Sequence, residues 1–308
     1  MLNYRYDELV KELKKEFPGM AISIEESMKS HTTFRIGGPA DIFIEPDMSD
    51  FFSLIRFLKK NNATFTVIGN GSNLLVSDDG IEGVVISLGK NISDIKIDKD
   101  IVTVQPGAML SSVANVAAEA GLTGLEFASG IPGTIGGAVF MNAGAYGGEI
   151  KDVIESVTVL TEDLEEKIMT ASDLDLSYRH SLLMDNGGYV GEVTLRLRPG
   201  DKDAIRSRMD EIKEQRIAKQ PLNYPSAGST FKRPTGYFAG KLVDDAGLRG
   251  YTVGGAQVSE KHCGFVINKS NATASDVLRL MHDVDEKVFS MFGVHLTPEV
   301  RIIGRNVN

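Results

Sequence analysis

The chain has 308 residues, more than the ~250 to 300 at which a single hydrophobic core stops growing, so two or three domains are expected. Hydrophobic content of 42% and charged content of 24% exclude an extended disordered chain, and a formal charge of -9 excludes a protein that tracks nucleic-acid phosphates, whose footprint is basic. Cys263 is the single cysteine, which excludes an intrachain disulfide and cysteine-rich zinc spacings, and no segment supplies ~18 uninterrupted apolar residues for a membrane span.

The N-terminal stretch MLNYRYDELVKELKKEF lacks the apolar run of a secretory signal, so a cytoplasmic location is expected. Its spacing predicts a packing helix over Tyr6–Phe17, with Leu9, Val10, Leu13 and Phe17 on the apolar face and Pro18-Gly19 as the stop. Short β runs at Asp41–Ile44, Thr64–Ile68 and Val84–Ser87, around a helix starting near Ser49 or Asp50, make one α/β unit over about 31–90. A second unit, about 91–198, holds strands near Ile92–Ile97 and Ile101–Val104, a helix over Leu110–Ala120, and strands at Val153–Leu160 and Tyr189–Leu197. Pro199-Gly200-Asp201 then punctuates the chain before a charged helix over Asp203–Lys219. The third unit, 199–308, is predicted to contain a helix at Tyr237–Ala246, a β run at Gly264–Ile267, and a long helix over Ala274–Phe292 with Thr273 and Asp276 at capping-box spacing. The expected division is a helical segment 1–30, then 31–198, then 199–308, in an α+β chain without a fixed-period repeat.

Thirty-two glycines exceed the ~7% of an average chain, and two clusters concentrate them. GNGSNLL, starting at Gly69, follows the apolar run Phe65–Ile68, so a strand leads into a loop that is either a plain turn or a nest of N–H groups for an anion. Ser72 and Asn73 would add donors there. The loop is not the dinucleotide pattern G-x-G-x-x-G, because Leu74 stands at its last position. The second cluster, SGIPGTIGGAVFMNAGAYGGE, holds seven glycines over Ser129–Glu149, and its Thr134–Met141 stretch is predicted to open a short helix. It either packs backbone closely without a ligand or turns unpaired helix N–H groups toward a diphosphate.

TTFRIGGPA, GNGSNLL and GIPGTIGGAVFMNAGAYG together closely resemble the UDP-N-acetylenolpyruvoylglucosamine reductases, in order and over about His31 to Arg301. The resemblance implies a vanillyl-alcohol-oxidase (PCMH) type FAD-binding fold made of two α/β units, followed by a C-terminal α+β domain for the UDP-sugar. It implies non-covalent FAD held by Gly69, Asn70, Gly71, Ser72, Asn73 and Leu74, and by Gly130, Ile131, Pro132, Gly133, Thr134, Gly136, Gly137 and Ala138. Asn142, Gly144, Ala145 and Tyr146 would lie nearby, and Arg35 would order the flavin loops.

The implied reaction uses NADPH to reduce FAD, which then reduces the enolpyruvyl ether of UDP-N-acetylglucosamine to UDP-N-acetylmuramate for peptidoglycan. Such chemistry needs a cation or acid at the substrate carboxylate and a proton donor at the neighbouring carbon. By resemblance, Tyr178-Arg179 in LSYRHSLL supplies a planar, always-charged fork for the carboxylate, Ser229 in SAGSTFKRP protonates the intermediate, and Glu299 in LTPEVRIIG serves the carboxylate as a hydrogen-bond donor when protonated. Read without the resemblance, each is an ordinary residue: a solvated Arg, a turn Ser, a strand-edge Glu. Lys219, Lys232 and His262 are implied near the nucleotide portion, with solvated lysines and a structural histidine as the alternatives. Arg179 and Ser229 stand 50 positions apart, which points to the shorter subclass without the tyrosine lid, so neither Tyr224 nor Tyr237 takes that part. No metal is expected, since no histidine pair has ligand spacing, and a monomer is expected. A flavin oxidase of the same fold and a non-catalytic flavin-binding regulator are the competing readings.

Overall fold

The computed structural model describes residues 3–307, and the side chains from Tyr6 onward. Positions 1, 2 and 308, which the expected terminal segments include, lie outside the described residues. The chain forms two compact units: one from 1–22, 44–70 and 85–215, the other from 23–43, 71–84 and 216–308. This grouping differs from the expected division at 31 and 199. Two early stretches join the C-terminal third, and the chain passes from unit to unit inside the strands Ala21–Ser27, Pro39–Glu45 and Ile81–Ser87.

The first unit is built on a five-stranded antiparallel sheet ordered Glu166–Thr170, Ile154–Leu160, Tyr189–Arg196, Ile101–Val104, Ile95–Asp98. Val102 and Val104 alternate inward from one strand, Val193 and Leu195 from its neighbour, as a half-buried sheet requires. Against them pack Leu110, Val113, Ala114, Ala117 and Ala118 of the helix Leu110–Glu119, at the spacing of one helical face. The helix Met48–Lys60 buries Phe51, Phe52, Leu54, Ile55 and Leu58, and Gly191 stands where any side chain would meet Phe52. The N-terminal helix, Asn3–Glu16, starts before the expected Tyr6 and buries Val10 and Leu13, with Phe17 edge-on to Phe57 at 5.8 Å. Each such large apolar side chain contributes roughly 1.5 to 3 kcal/mol by leaving water.

The second unit centres on the helix Ala274–Phe292, whose Val277, Leu280, Met281, Val284 and Val288 are buried. Its start is the predicted capping box: Thr273 accepts from Asp276 N–H, and Asp276 accepts from Thr273 N–H. It ends at Gly293, whose left-handed φ of 68° suits a residue without Cβ. One face packs on the three-stranded sheet Thr252–Val253, Ala256–Val258, Val266–Asn268. Phe34, Ile36 and Leu75, far away in sequence, complete the core. Leu75 arrives on the strand Leu74–Val76, which pairs in parallel with the C-terminal strand Arg301–Ile303.

Several elements differ from expectation. The run Ile92–Ile97 is a 3-10 turn at Lys90–Ile92 followed by a strand at Ile95–Asp98. The helix expected from Tyr237 is Ala239–Asp245, because Gly236 turns with φ 80° and Phe238 is extended. Ala21–Ser27, Glu166–Thr170 and Leu182–Asn186 are further elements that no apolar periodicity announces. Between Arg179 and Ser229 the chain is occupied by Leu182–Asn186, Tyr189–Arg196 and the helix Lys202–Lys219, as the short interval implies. No helix among the described residues is long and apolar enough to cross a membrane.

Candidate functional site

In the first unit the two glycine clusters meet. The Asn70 side-chain amide donates to the Pro132 carbonyl at 2.6 Å, 62 residues along the chain. A Cβ on Gly69 would overlap Thr134 Oγ1, and one on Gly136 would stand 2.9 Å from Pro106. These are close approaches only glycine permits. The short helix is present as Ile135–Phe140, but its expected unpaired N–H groups are not. Ile135 N–H is taken by Ala108 O, Gly136 by Pro106 O, Gly137 by Thr134 Oγ1 and Ala138 by Thr134 O, at 2.8, 2.9, 3.4 and 2.9 Å. Neighbouring chain has consumed the donors that a diphosphate would have used there. What remains for a cofactor is the pair of glycine-lined loops, Gly69-Asn70 against Gly130–Thr134. Gly69, Gly130 and Gly133 carry no side chain there, which fits close approach of a diphosphate-bearing group such as FAD to the backbone.

Beyond the short helix, Asn142 is fully buried with φ 44°. Its amide donates to Glu149 Oε2 at 2.8 Å and Ser177 O at 2.9 Å, and its Oδ1 accepts from Lys151 N–H at 3.0 Å. All three of these side-chain bonds go to protein. What it holds is the Ser177–His180 turn, closed by reciprocal bonds of 3.1 and 3.2 Å between those two residues. Tyr178 and Arg179 are the tip of that turn. Arg179 has a left-handed φ of 55°, donates to Gly144 O at 3.0 Å, and lies 5.3 Å from the centre of the exposed Tyr178 ring. Gly144 is wedged against Gly148 and Glu149, while Tyr146, with φ 52°, sits in the next turn. Hydrogen bonding to Lys151 holds Glu149 below the usual carboxylate range, against burial and with help from Asn142 and Arg179.

In the second unit, TTFRIGG acts as a hub. Phe34 and Ile36 enter the core while Arg35 between them is exposed, with φ 55°. Thr33 Oγ1 donates to Ser226 O at 2.7 Å, and Asn268 Nδ2 donates to Phe34 O at 3.1 Å. Gly71, with φ 58°, lies so close to His31 that no side chain fits. Ser229 follows Gly228, whose φ is 79°, and is exposed. Glu299 is half-buried. Its N–H donates to Thr230 O at 2.8 Å, its carbonyl accepts from Asn73 Nδ2 at 3.2 Å, and Phe231 bridges Pro298. Glu299, Asn73 and Thr230, the residue after Ser229, are thus brought together within the second unit, Asn73 and Glu299 from positions 226 residues apart.

Lys219 ends its helix in solvent, and Lys232 is anchored by its N–H to Thr297 O at 2.8 Å. His262 is committed to structure on one edge: Nδ1 accepts from Gly264 N–H at 3.1 Å, the ring meets Phe265 edge-on at 5.1 Å, and burial pushes its pKa down. Cys263 beside it is buried and bonded to Asp244, its thiol pushed up to about 11, so it is not a thiolate nucleophile. An open cavity of about 410 Å³, lined by Ile217, Tyr224, Gln257, Lys261 and Lys269 among others, includes none of the expected substrate residues. Nothing in the residue type of Thr33 or Asn268 marks the contacts they make.

Two family models match the chain: "FAD binding domain" over 41–166 and "UDP-N-acetylenolpyruvoylglucosamine reductase, C-terminal domain" over 220–303. The UDP-N-acetylenolpyruvoylglucosamine reductase of Agathobacter rectalis is 57% identical over 307 residues, covering 96% of this chain and 98% of that protein. That of Lactiplantibacillus plantarum is 49% identical, covering 97% and 99%. The crystal structure of the UDP-N-acetylenolpyruvylglucosamine reductase from Thermus caldophilus superposes with a TM-score of 0.79 at 36% identity, covering 92% of this chain and 99% of that one.

Proposed function

The chain belongs to the UDP-N-acetylenolpyruvoylglucosamine reductases, and from that premise we propose that Arg179, Ser229 and Glu299 act on the substrate. The enzyme is a FAD-dependent oxidoreductase of peptidoglycan synthesis that reduces the enolpyruvyl ether of UDP-N-acetylglucosamine to UDP-N-acetylmuramate, with NADPH as co-substrate. When bound, FAD supplies the two-electron chemistry between NADPH and the substrate double bond.

The protein's own tasks are to orient the carboxylate, stabilise charge growing on it, and deliver one proton. Arg179 takes the carboxylate; the observation that supports this is its place at the tip of a turn whose Ser177 carbonyl accepts from Asn142, with its guanidinium oriented by the bond from Nη2 to Gly144 O. Ser229 gives its hydroxyl proton to the carbon next to the carboxylate, an acceptor basic enough that a low pKa is unnecessary. Glu299 shares a proton with the substrate carboxylate, the two like charges being unable to stay side by side unprotonated. The observation that carries the reading is the 2.8 Å bond from Glu299 N–H to Thr230 O, which sets the acid against the residue after Ser229. Residues 31–198 would serve FAD and 199–308 the UDP-sugar, with Lys219 and Lys232 as the cations for its phosphates. Cytoplasmic location, monomeric state and non-covalent flavin belong to the same reading.

The test is anaerobic. NADPH should bleach the flavin, and the UDP-enolpyruvyl sugar should restore its colour rapidly. A reduced flavin that ignores the sugar would sink the reading. Glu299→Gln should also alter the pH–rate profile of that second step, and an unchanged profile would remove the shared proton.

A further inference from the structure

Resting on that reading, we propose that Asn73 is a positioning residue for Glu299, so that the flavin loop sets the acid used in sugar reduction. Both polar groups of the Glu299 main chain are tied: N–H to Thr230 O at 2.8 Å and C=O to Asn73 Nδ2 at 3.2 Å. Only the NH₂ end of the Asn73 amide can serve a carbonyl, which fixes its orientation and turns its oxygen away. The side-chain bond is additional to the ladder. The parallel strands pair Leu74 with Arg301, Leu75 with Ile302 and Val76 with Ile303, and Arg301 N–H donates to Asn73 O at 2.9 Å through backbone alone. Substitution at position 73 therefore leaves the strand pairing in place and removes the lock on Glu299, two residues before the paired strand begins at Arg301. With the bond to its carbonyl lost, the Glu299 backbone is held less firmly, and a carboxyl displaced by about an ångström orients poorly.

The consequence is a split between half-reactions. In Asn73→Ala reoxidation by the sugar should slow about tenfold, as loss of one oriented hydrogen bond does, chiefly in kcat, and should slow more than reduction of the flavin by NADPH, which involves no substrate carboxylate. Asn73→Asp places an acceptor against the Glu299 carbonyl, so its reoxidation should be slower still near pH 8 and recover relative to Asn73→Ala as pH falls toward the carboxyl's pKa, where a protonated Asp donates again. Stopped-flow absorbance of both steps at saturating FAD reads this. Asn73→Ser, whose hydroxyl is too short to reach, replaces the alanine variant if the latter does not fold. Equal slowing of both steps, or a loss confined to FAD affinity, would make Asn73 a flavin ligand only and overturn the inference, as would wild-type reoxidation in all variants. A wild-type enzyme that the sugar does not reoxidise would overturn the functional reading and the inference together.

Discussion

Arg35, Asn142, Tyr146 and Arg179 are non-glycine residues held at φ of 55°, 44°, 52° and 55°. L-residues resist this conformation by about 1 to 2 kcal/mol each, so it persists only where surrounding bonds impose it. Asn142 shows how: one of its three side-chain bonds holds the Ser177 carbonyl of the turn on which Arg179 stands, and the other two hold Glu149 and Lys151. Asn142→Ala should leave the Ser177 carbonyl and Lys151 N–H without partners, costing roughly 2 to 3 kcal/mol in urea unfolding, and a variant as stable as wild type would refute that role. Asn142→Asp should be worse, since its carboxylate would face Glu149. At His262 burial favours the neutral ring, so its pKa should fall below the ordinary imidazole value of about 6.5 in an NMR titration. The unfolded chain then binds the extra proton first: this contribution is complete above 6.5 and is lost as pH falls through 6.5 toward the folded-state pKa. Thermal stability should drop more between pH 7 and 5.5 in wild type than in His262→Gln. None of these roles was legible from residue type alone. Arg179, Ser229 and Glu299 became candidates through resemblance, because an Arg in a polar run or a Ser after glycine carries no local signal, and the side-chain bonds of the buried Asn142 were hidden for the same reason.

Elements with strong local codes were the legible ones. The helix Ala274–Phe292 has a capping box, a long apolar stripe and a glycine stop, and it occurs where predicted. The strand Leu74–Val76 is three residues long and exists because Arg301–Ile303, 227 positions away, pairs with it; no local pattern can announce that. The same distance hid a cap. Asp78 accepts from Ala274 N–H, Ser275 N–H and Ser275 Oγ at 2.7, 2.9 and 2.8 Å, serving the start of a helix nearly two hundred residues on. Asp78→Ala should cost about 1 to 2 kcal/mol in chemical denaturation, the scale of a lost helix cap. The contact between the glycine loops permits a compensation test. Gly69→Ala drives a methyl into Thr134 Oγ1 and should weaken FAD binding, measured by flavin fluorescence, at least about tenfold. Thr134→Ala removes that oxygen, leaving the next contact from the added Cβ at the alanine Cβ, 3.3 Å away, so the double variant should bind better than Gly69→Ala alone. Additive losses would mean that the two loops do not share one seat.

At the scale of the whole molecule, sequence punctuation misleads for a topological reason. Pro199-Gly200-Asp201 does mark a turn before a helix, but Ile205, Met209 and Ile212 of that helix are buried and the first two belong to the first unit's core, so the unit continues to Gln215. The second unit in turn cannot be cut out as 199–308. Its core includes Phe34, Ile36 and Leu75, which together contribute on the order of 6 kcal/mol of apolar burial, and its C-terminal strand has Leu74–Val76 as its partner. A loss of that size is comparable with the roughly 5 to 15 kcal/mol that separates a folded domain from its unfolded chain. The fragment 199–308 should therefore give a poorly dispersed amide NMR spectrum and no cooperative melting transition, whereas the intact chain melts cooperatively. Dispersed peaks and a sharp transition in the fragment would show that the C-terminal third supplies its own core, and that Phe34, Ile36 and Leu75 only rest on a unit already folded.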